Sequence, residues 1–455
     1  MLGIRAGMLI RIGDMAKIAI VGTGVAGLTA AHRLHADHDL TVYEAGARVG
    51  GHTHTVRVDL ADETHWVDTG FIVHNDRNYP RFEALMAELG VATQPSRMSF
   101  SVSDDGGRFE YSGTPRGVFA QRSHLLDPRF LRMIADLLRF NREAGRIAGG
   151  PVGAGPSLRE LLADGGYSDW FVERLIVPQA SAVWSADPEQ LWSFPASFLA
   201  AFFDNHGMLG FRDRPRWRTV TGGSHRYVDA LTRPFADRIR TATPVRSIVR
   251  RPDRVEIAAD GCGVERYDEV VIATHSDQAL ALLADPTPAE REILGAIPYK
   301  RNQAVLHTDS ALLPRRRAAR ASWNFHLGAI GPDGRPETSD AGAPRLTYWM
   351  NNLQAIDSAT DLCVTLNRGD RIDPAKVIET VDYAHPVFTP DGVAAQARHG
   401  EISGVDRTHY CGAYWGWGFH EDGVVSAERA VERIGATARA IAPAPPEPEP
   451  EELAA

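Results

Sequence analysis

Residues 17–21 read Lys-Ile-Ala-Ile-Val, an apolar run after one lysine that fits a strand buried on both faces. The period then changes. Leu28, Ala31 and Leu34 recur at helical spacing and residues 40–43 make a second short apolar run, so the segment predicts strand, turn, helix, strand. Further on, Val245-Arg246-Ser247-Ile248 and Val255-Glu256-Ile257 alternate as strands, and residues 268–273 predict a buried parallel strand. A final helix is expected over residues 423–434, a helix over 127–143, and strands over 303–307 and 345–350. The stretch 149–156 contains Gly153-Ala154-Gly155 but has two prolines and no strand before it, so it reads as a loop and offers no second dinucleotide site. No apolar run reaches the roughly 18 residues of a membrane-spanning helix.

The first turn carries the chemistry. Gly22 permits a sharp bend, Gly24 lets a pyrophosphate approach the backbone, and Gly27 lets the helix pack closely on the strand. Val25 and Ala26 then open the helix, whose positive end faces the phosphates. Glu44 lies 17 positions past Gly27, at the end of the second strand, and suits ribose hydroxyls while disfavouring the 2′-phosphate of NADP. Ala45 follows it, and Arg48-Val49-Gly50-Gly51 separates FAD from NAD. The Gly50-Gly51 pair lets an extended ligand run past the backbone, and Arg48 can face its phosphates or its flavin end. No recognised attachment motif offers a cysteine or histidine, so FAD is expected to be noncovalent.

Four downstream segments complete a resemblance. Val67-Asp68-Thr69-Gly70-Phe71, residues 217–224, residues 268–274 and Tyr410-Cys411-Gly412 with Gly423-Val424 follow the order of the flavin amine oxidase and phytoene desaturase superfamily. Within it, residues 68–75 and 416–423 resemble a bacterial branch similar to the amine-oxidase-like domain of plant cyclopropane fatty acid synthases and to a furan fatty acid pathway desaturase. The resemblance implies an α/β two-lobe fold. A discontinuous Rossmann-like FAD lobe would take residues 15–75, 215–285 and 405–440, and an interleaved α+β substrate lobe 76–214 and 286–404. It implies cofactor contacts from Thr69, Gly70, Phe71, Ala273, Cys411, Gly412, Gly423 and Val424, with Val245 on the adenine side.

For catalysis it points to Tyr414, Trp417, Phe419 and His420 as a flavin-facing wall. Phe419 takes a cage position that amine oxidases often fill with tyrosine. Lys300 falls where those enzymes hold a water against flavin N5. His420 could act as an acid or base tuned by Glu421 and Asp422, with His74 a weaker candidate. The expected reaction is desaturation or oxidation of a long-chain acyl group, methylated or phospholipid-bound, by hydride transfer to N5. Amine oxidation, or a redox-silent flavoprotein serving a lipid methyltransferase, are the alternatives.

Composition adds limits. The 455-residue chain has a net charge of −9, part of it from Glu447, Glu449, Glu451 and Glu452 in a Pro/Ala/Glu tail (442–455) expected to be disordered. Nothing suggests nucleic acid. Cys262, Cys363 and Cys411 show no paired spacing, and the first fourteen residues lack an export h-region, so a cytoplasmic protein is expected. His52 and His54 have no partner ligands at metal spacing, so no metal is expected. Residues 127–143 mix Phe130, Ile134, Leu137, Leu138 and Phe140 with Arg129, Arg132, Arg139 and Arg142, a basic amphipathic pattern suited to peripheral contact at the inner membrane face.

Overall fold

A sheet of five parallel strands organises the first lobe, in the spatial order Ile239–Arg240, Asp39–Tyr43, Lys17–Val21, Glu269–Ile272, Thr408–Tyr410. The computed structural model describes residues 15–441 apart from 62, 151–154, 185–191, 193–194, 211–213, 332–334 and 337–343. The expected tail, the first fourteen residues and Gly153-Ala154 therefore lie outside the described residues.

After Lys17 the central strand is apolar because both its faces are covered. Ile18 and Ile20 join Val42 and Val271 beneath the helix Val25–Leu34 and the final helix His420–Ile441. Ala19 and Val21, with Tyr43, Val270 and Ile272, meet an antiparallel layer of Val245–Arg250, Val255–Ala259 and Gly263–Tyr267. The result is three layers. The two helices pack directly on each other, and a Cβ added at Gly423 would fall 2.6 Å from Val25 Cγ1.

The second lobe is built on a seven-stranded mixed sheet, ordered Val377–Pro386, Tyr299–His307, Cys363–Leu366, Leu346–Trp349, Trp323–His326, Phe100–Ser103, Glu110–Ser112. Its one face and the helices Pro128–Ala148, Leu158–Asp164 and Ala196–Asn205 share a core. The long helix begins one residue later and ends five later than the 127–143 expected, because Asp127 caps it, accepting from Arg129 N–H at 2.9 Å, and Ala144 continues its buried face. The final helix starts at His420 rather than 423, since Glu421 and Asp422 occupy its first turn.

Arg250 ties the antiparallel layer to the sheet edge. Its guanidinium meets Glu290 in a bidentate pair at 2.7 and 3.0 Å with both side chains buried, and Tyr410 O–H donates to the same carboxylate at 2.6 Å. Arg250→Ala should leave the buried Glu290 carboxylate without its counter-charge, held by the Tyr410 hydroxyl and the Thr287 N–H alone, and cost about 3 kcal/mol, read as a lowered urea midpoint without a change in slope.

Candidate active site

The two lobes enclose a cavity of about 710 Å³. At one end the backbone does the positioning. Gly22 adopts φ +105°, and at Gly27 a Cβ would stand 2.0 Å from the Gly22 carbonyl oxygen, so the helix Val25–Leu34 sits hard against the turn. Its first internal bond is Leu28 N–H to Gly24 O at 3.0 Å, and no side chain caps Gly24. The N–H groups of Val25 and Ala26 are thus left over at the cavity edge, a cradle for an anion. A Cβ at Gly24 would meet nothing within 4 Å, so that approach is open.

Glu44 is fixed beside this cradle. Thr23 N–H (3.2 Å) and the Thr23 hydroxyl donate to Oε2, and Gly46 N–H donates to Oε1 at 2.8 Å. Gly22, Gly24, Val25, Ala26, Glu44, Ala45, Gly51, Thr69, Gly70, Phe71, Val245, Ala273 and Gly412 all line the cavity. An uncapped helix end, an acid next to it and a long open trough fit an adenine dinucleotide: the cradle for its pyrophosphate, Glu44 for its ribose, Val245 toward the adenine and residues 69–71 toward the flavin.

Other expected contacts stand behind the wall. Gly27, Gly423 and Val424 serve helix packing. Gly50 holds its loop, donating N–H to Thr23 O at 3.1 Å. Arg48 is turned away from the trough: it donates to the carbonyls of Thr53 (2.6 Å), Gly51 (2.7 Å) and Val49 (3.2 Å), so its charge braces the loop rather than facing phosphates. Cys411 is wholly buried, and burial pushes its thiol up to about 12, which makes it a packing residue.

At the other end Tyr414, Trp417, Phe419 and His420 line the cavity together. His420 stacks on Phe71 (centroids 3.6 Å, interplanar 14°), and its Nε2 lies 3.0 Å from Thr53 Oγ1 and 2.9 Å from Tyr227 Oη. Its carboxylate neighbours do not tune it. Glu421 accepts from Arg81 and Phe82 N–H, and Asp422 from Phe419 N–H. Burial, with His52 and His74 nearby, holds the imidazole well below its ordinary range, so His420 is a neutral, hydrogen-bonded positioning residue. His74 is likewise buried, against Glu83 at 2.6 Å.

Lys300 is not part of the wall. His385, directly opposite it in the strand register, is. Sequence reading missed His385 together with Tyr383, His275 and Tyr299; the one available signal was the alternation of Tyr383 and His385 along a strand. Tyr383 crosses between the lobes, its hydroxyl 2.7 Å from Thr69 Oγ1 and its ring stacked on His52 at 5.1 Å. His52 and His385 lie 5.3 Å apart.

Their tautomers follow from the surrounding bonds. Asn367 is oriented by Nδ2 donating to Pro344 O (3.0 Å) and Oδ1 accepting from Gln303 N–H (3.1 Å). Its Nδ2 also donates to Asn302 Oδ1 (2.9 Å), so Asn302 Nδ2 donates to His385 Nδ1 (3.0 Å) and the His385 proton sits on Nε2. His52 donates from Nε2 to Ala384 O at 3.1 Å, which leaves Nδ1 as its lone pair. Burial and mutual repulsion with His385 and His275 hold His52 down at about 3, and burial holds His385 at about 4, so both are neutral at pH 7. Among the described residues no cluster of metal ligands occurs.

The sequence pattern of the flavin containing amine oxidoreductases matches residues 25–435. The chain belongs to that family. It is an FAD-dependent oxidoreductase with the family's two-lobe fold. Among curated relatives it is 28% identical over 274 residues to the flavin-dependent L-tryptophan oxidase RebO of Lentzea aerocolonigenes, covering 56% of this chain and 57% of that one. It is 29% identical over 299 residues to coproporphyrinogen III oxidase of Mycobacterium tuberculosis, covering 58% and 60%. The chain thus spans under two-thirds of those relatives. Among solved structures, cyclohexylamine oxidase from Brevibacterium oxydans IH-35A superposes with a TM-score of 0.68 at 17% identity, covering 94% of this family member and all of that chain. A fatty acid isomerase from P. acnes gives 0.60 at 15%, covering 92% and 98%.

Gly24→Val should fold normally, since the added atoms enter open trough, yet purify colourless; a yellow variant would place the cofactor elsewhere. Stability should also depend on acid. The desolvated imidazoles of His52, His326 and His385 bind protons at about 3 to 4 when folded and near 6.5 when unfolded, so the unfolded chain gains protons first and stability falls as pH drops below about 6.5. Asp68 and Asp422, raised by burial to about 7 and 6, act in the opposite sense but are fewer. Melting temperature measured against pH should therefore decline well above the range where exposed carboxylates titrate.

Proposed function

We propose that the substrate is a long-chain fatty acyl group, methylated or phospholipid-bound, and that the reaction is its desaturation. The observation that carries this reading is the character of the wall. Ala182, Trp323, Tyr348, Leu366, Phe388, Trp417 and Phe419 line the substrate end, and among the described lining residues the one carboxylate is Glu44, with no lysine or arginine. Tryptophan brings a carboxylate and an ammonium into a site, and coproporphyrinogen brings carboxylates; both need buried counter-charges. A hydrocarbon chain needs none. The fold is compatible with such a ligand, as the fatty acid isomerase shares it.

Desaturation removes two hydrogens from adjacent carbons, one as hydride and one as a proton, and bound FAD supplies the hydride acceptor. The chain's own residues handle the remainder. Phe71 and His420 form a rigid stacked pair at one side, and Trp417 and Phe419 close the apolar end over the acyl chain. His52 Nδ1 takes the proton. A weakly basic imidazole suffices, because loss of hydride leaves the neighbouring C–H strongly acidic. His385, its ring centroid 5.3 Å from that of His52 and its proton on Nε2, adds local polarity without becoming charged.

Aromatic faces at Trp417 and Phe419 also suit an aliphatic amine, the competing substrate. Anaerobic mixing of the purified yellow protein with phospholipid bearing a methylated acyl chain should bleach the flavin and yield a lipid lacking two hydrogens. His52→Ala should slow bleaching about 100-fold with the resting flavin spectrum retained. Bleaching by cyclohexylamine or putrescine, with lipid inert, would overturn the assignment.

A further inference from the structure

We infer that the surface made by the turn Arg122–Leu125, Leu126 and the outer face of the helix Pro128–Ala148 docks on an anionic lipid bilayer. The inference concerns the outside of the protein and stands whatever the cavity oxidises.

The helix already has a buried apolar face, Phe130, Met133, Phe140 and Ala144. Ordinarily the opposite face would be polar. Here Leu131 and Leu138, two turns apart on the outer side, are 45% and 40% exposed, and the preceding turn holds out Leu125 (51%) and Leu126 (87%). These are four of the nine exposed large hydrophobic side chains in the described structure, gathered within fourteen residues.

Charge separates a bilayer from other coverings. Residues 122–146 contain six arginines (Arg122, Arg129, Arg132, Arg139, Arg142, Arg146) against three carboxylates, in a chain whose net charge is −9. All three carboxylates are engaged within the protein. Asp127 takes Arg129, Asp136 takes Arg132, Arg139 and Ser168 N–H, and Glu143 accepts from Tyr167 O–H at 2.5 Å. A two-fold contact with a second copy would set arginine against arginine with no free acid to separate them. Leucines projecting between arginines instead match a surface that offers phosphates outside and hydrocarbon beneath.

The position is apt. The helix packs on Ala196–Asn205, whose Phe198 ring lies 4.6 Å from Trp417 and whose Phe202 lies 6.0 Å from Phe419, both at the apolar end of the cavity. One helical layer separates the docking face from the substrate end.

The test is sedimentation of the full-length FAD-loaded protein with vesicles of phosphatidylcholine, alone or mixed with phosphatidylglycerol. Binding should require phosphatidylglycerol and weaken steeply with salt. Leu126→Glu with Leu131→Glu should cut vesicle affinity at least tenfold with melting temperature and flavin spectrum unchanged, whereas Val264→Glu, at an exposed apolar position on the other lobe (66% exposed), should leave it intact. Absence of vesicle binding, equal loss with Val264→Glu, or a dimer in light scattering that the leucine variants disperse would each overturn the inference.

Discussion

The contact of Gly27 with the carbonyl of Gly22 sets the geometry on which the rest of the molecule depends. A helix that close to its strand presents its first N–H groups at the strand's end, and only there can they remain unpaired and still be reached. The final helix in turn rests on the first through Gly423 against Val25, so its own start is drawn to the same cavity, bringing His420 with it. Two helix ends and the tips of parallel strands converge on one trough because two glycines remove the side chains that would hold them apart.

Around that trough the protein avoids charge. Arg48, the nearest guanidinium in the dinucleotide loop, is consumed by three backbone carbonyls. Glu44 is held by Thr23 and Gly46. The imidazoles of His52, His385 and His420 are kept neutral by burial. At the substrate end, where the described lining residues include no lysine or arginine and the one carboxylate, Glu44, belongs to the dinucleotide end, the developing charge of a reaction meets no fixed protein ion.

What could be seen in the sequence was local. Lys17–Val21, the glycine turn and Glu44 form one continuous stretch whose spacing is set by a strand, a bend and a helix, so the pattern survives translation into structure. The far wall is assembled differently. Tyr383 and His385 arrive on a strand more than 300 residues from His52, brought to the cavity by the pairing of Val377–Pro386 with Tyr299–His307, whose register sets His385 opposite Lys300. Register of that kind leaves no mark in a single sequence. The fate of Arg48 was hidden for another reason: a guanidinium finds carbonyls in its own loop as readily as phosphates in a ligand, and composition does not distinguish them.

The order of strands in the parallel sheet carries a consequence for how the protein is made. Its centre is complete once residues 17–21, 39–43 and 269–272 have left the ribosome, but the edge strand Thr408–Tyr410 and the helix that covers one face come from the last tenth or so of the chain. Until then the nascent protein carries an open sheet edge and half a cofactor trough, while five of the seven strands of the second lobe's sheet are made. Flavin capture therefore cannot be completed on the early glycine turn alone and waits for residues 408–423, the last to be added of those that shape the trough.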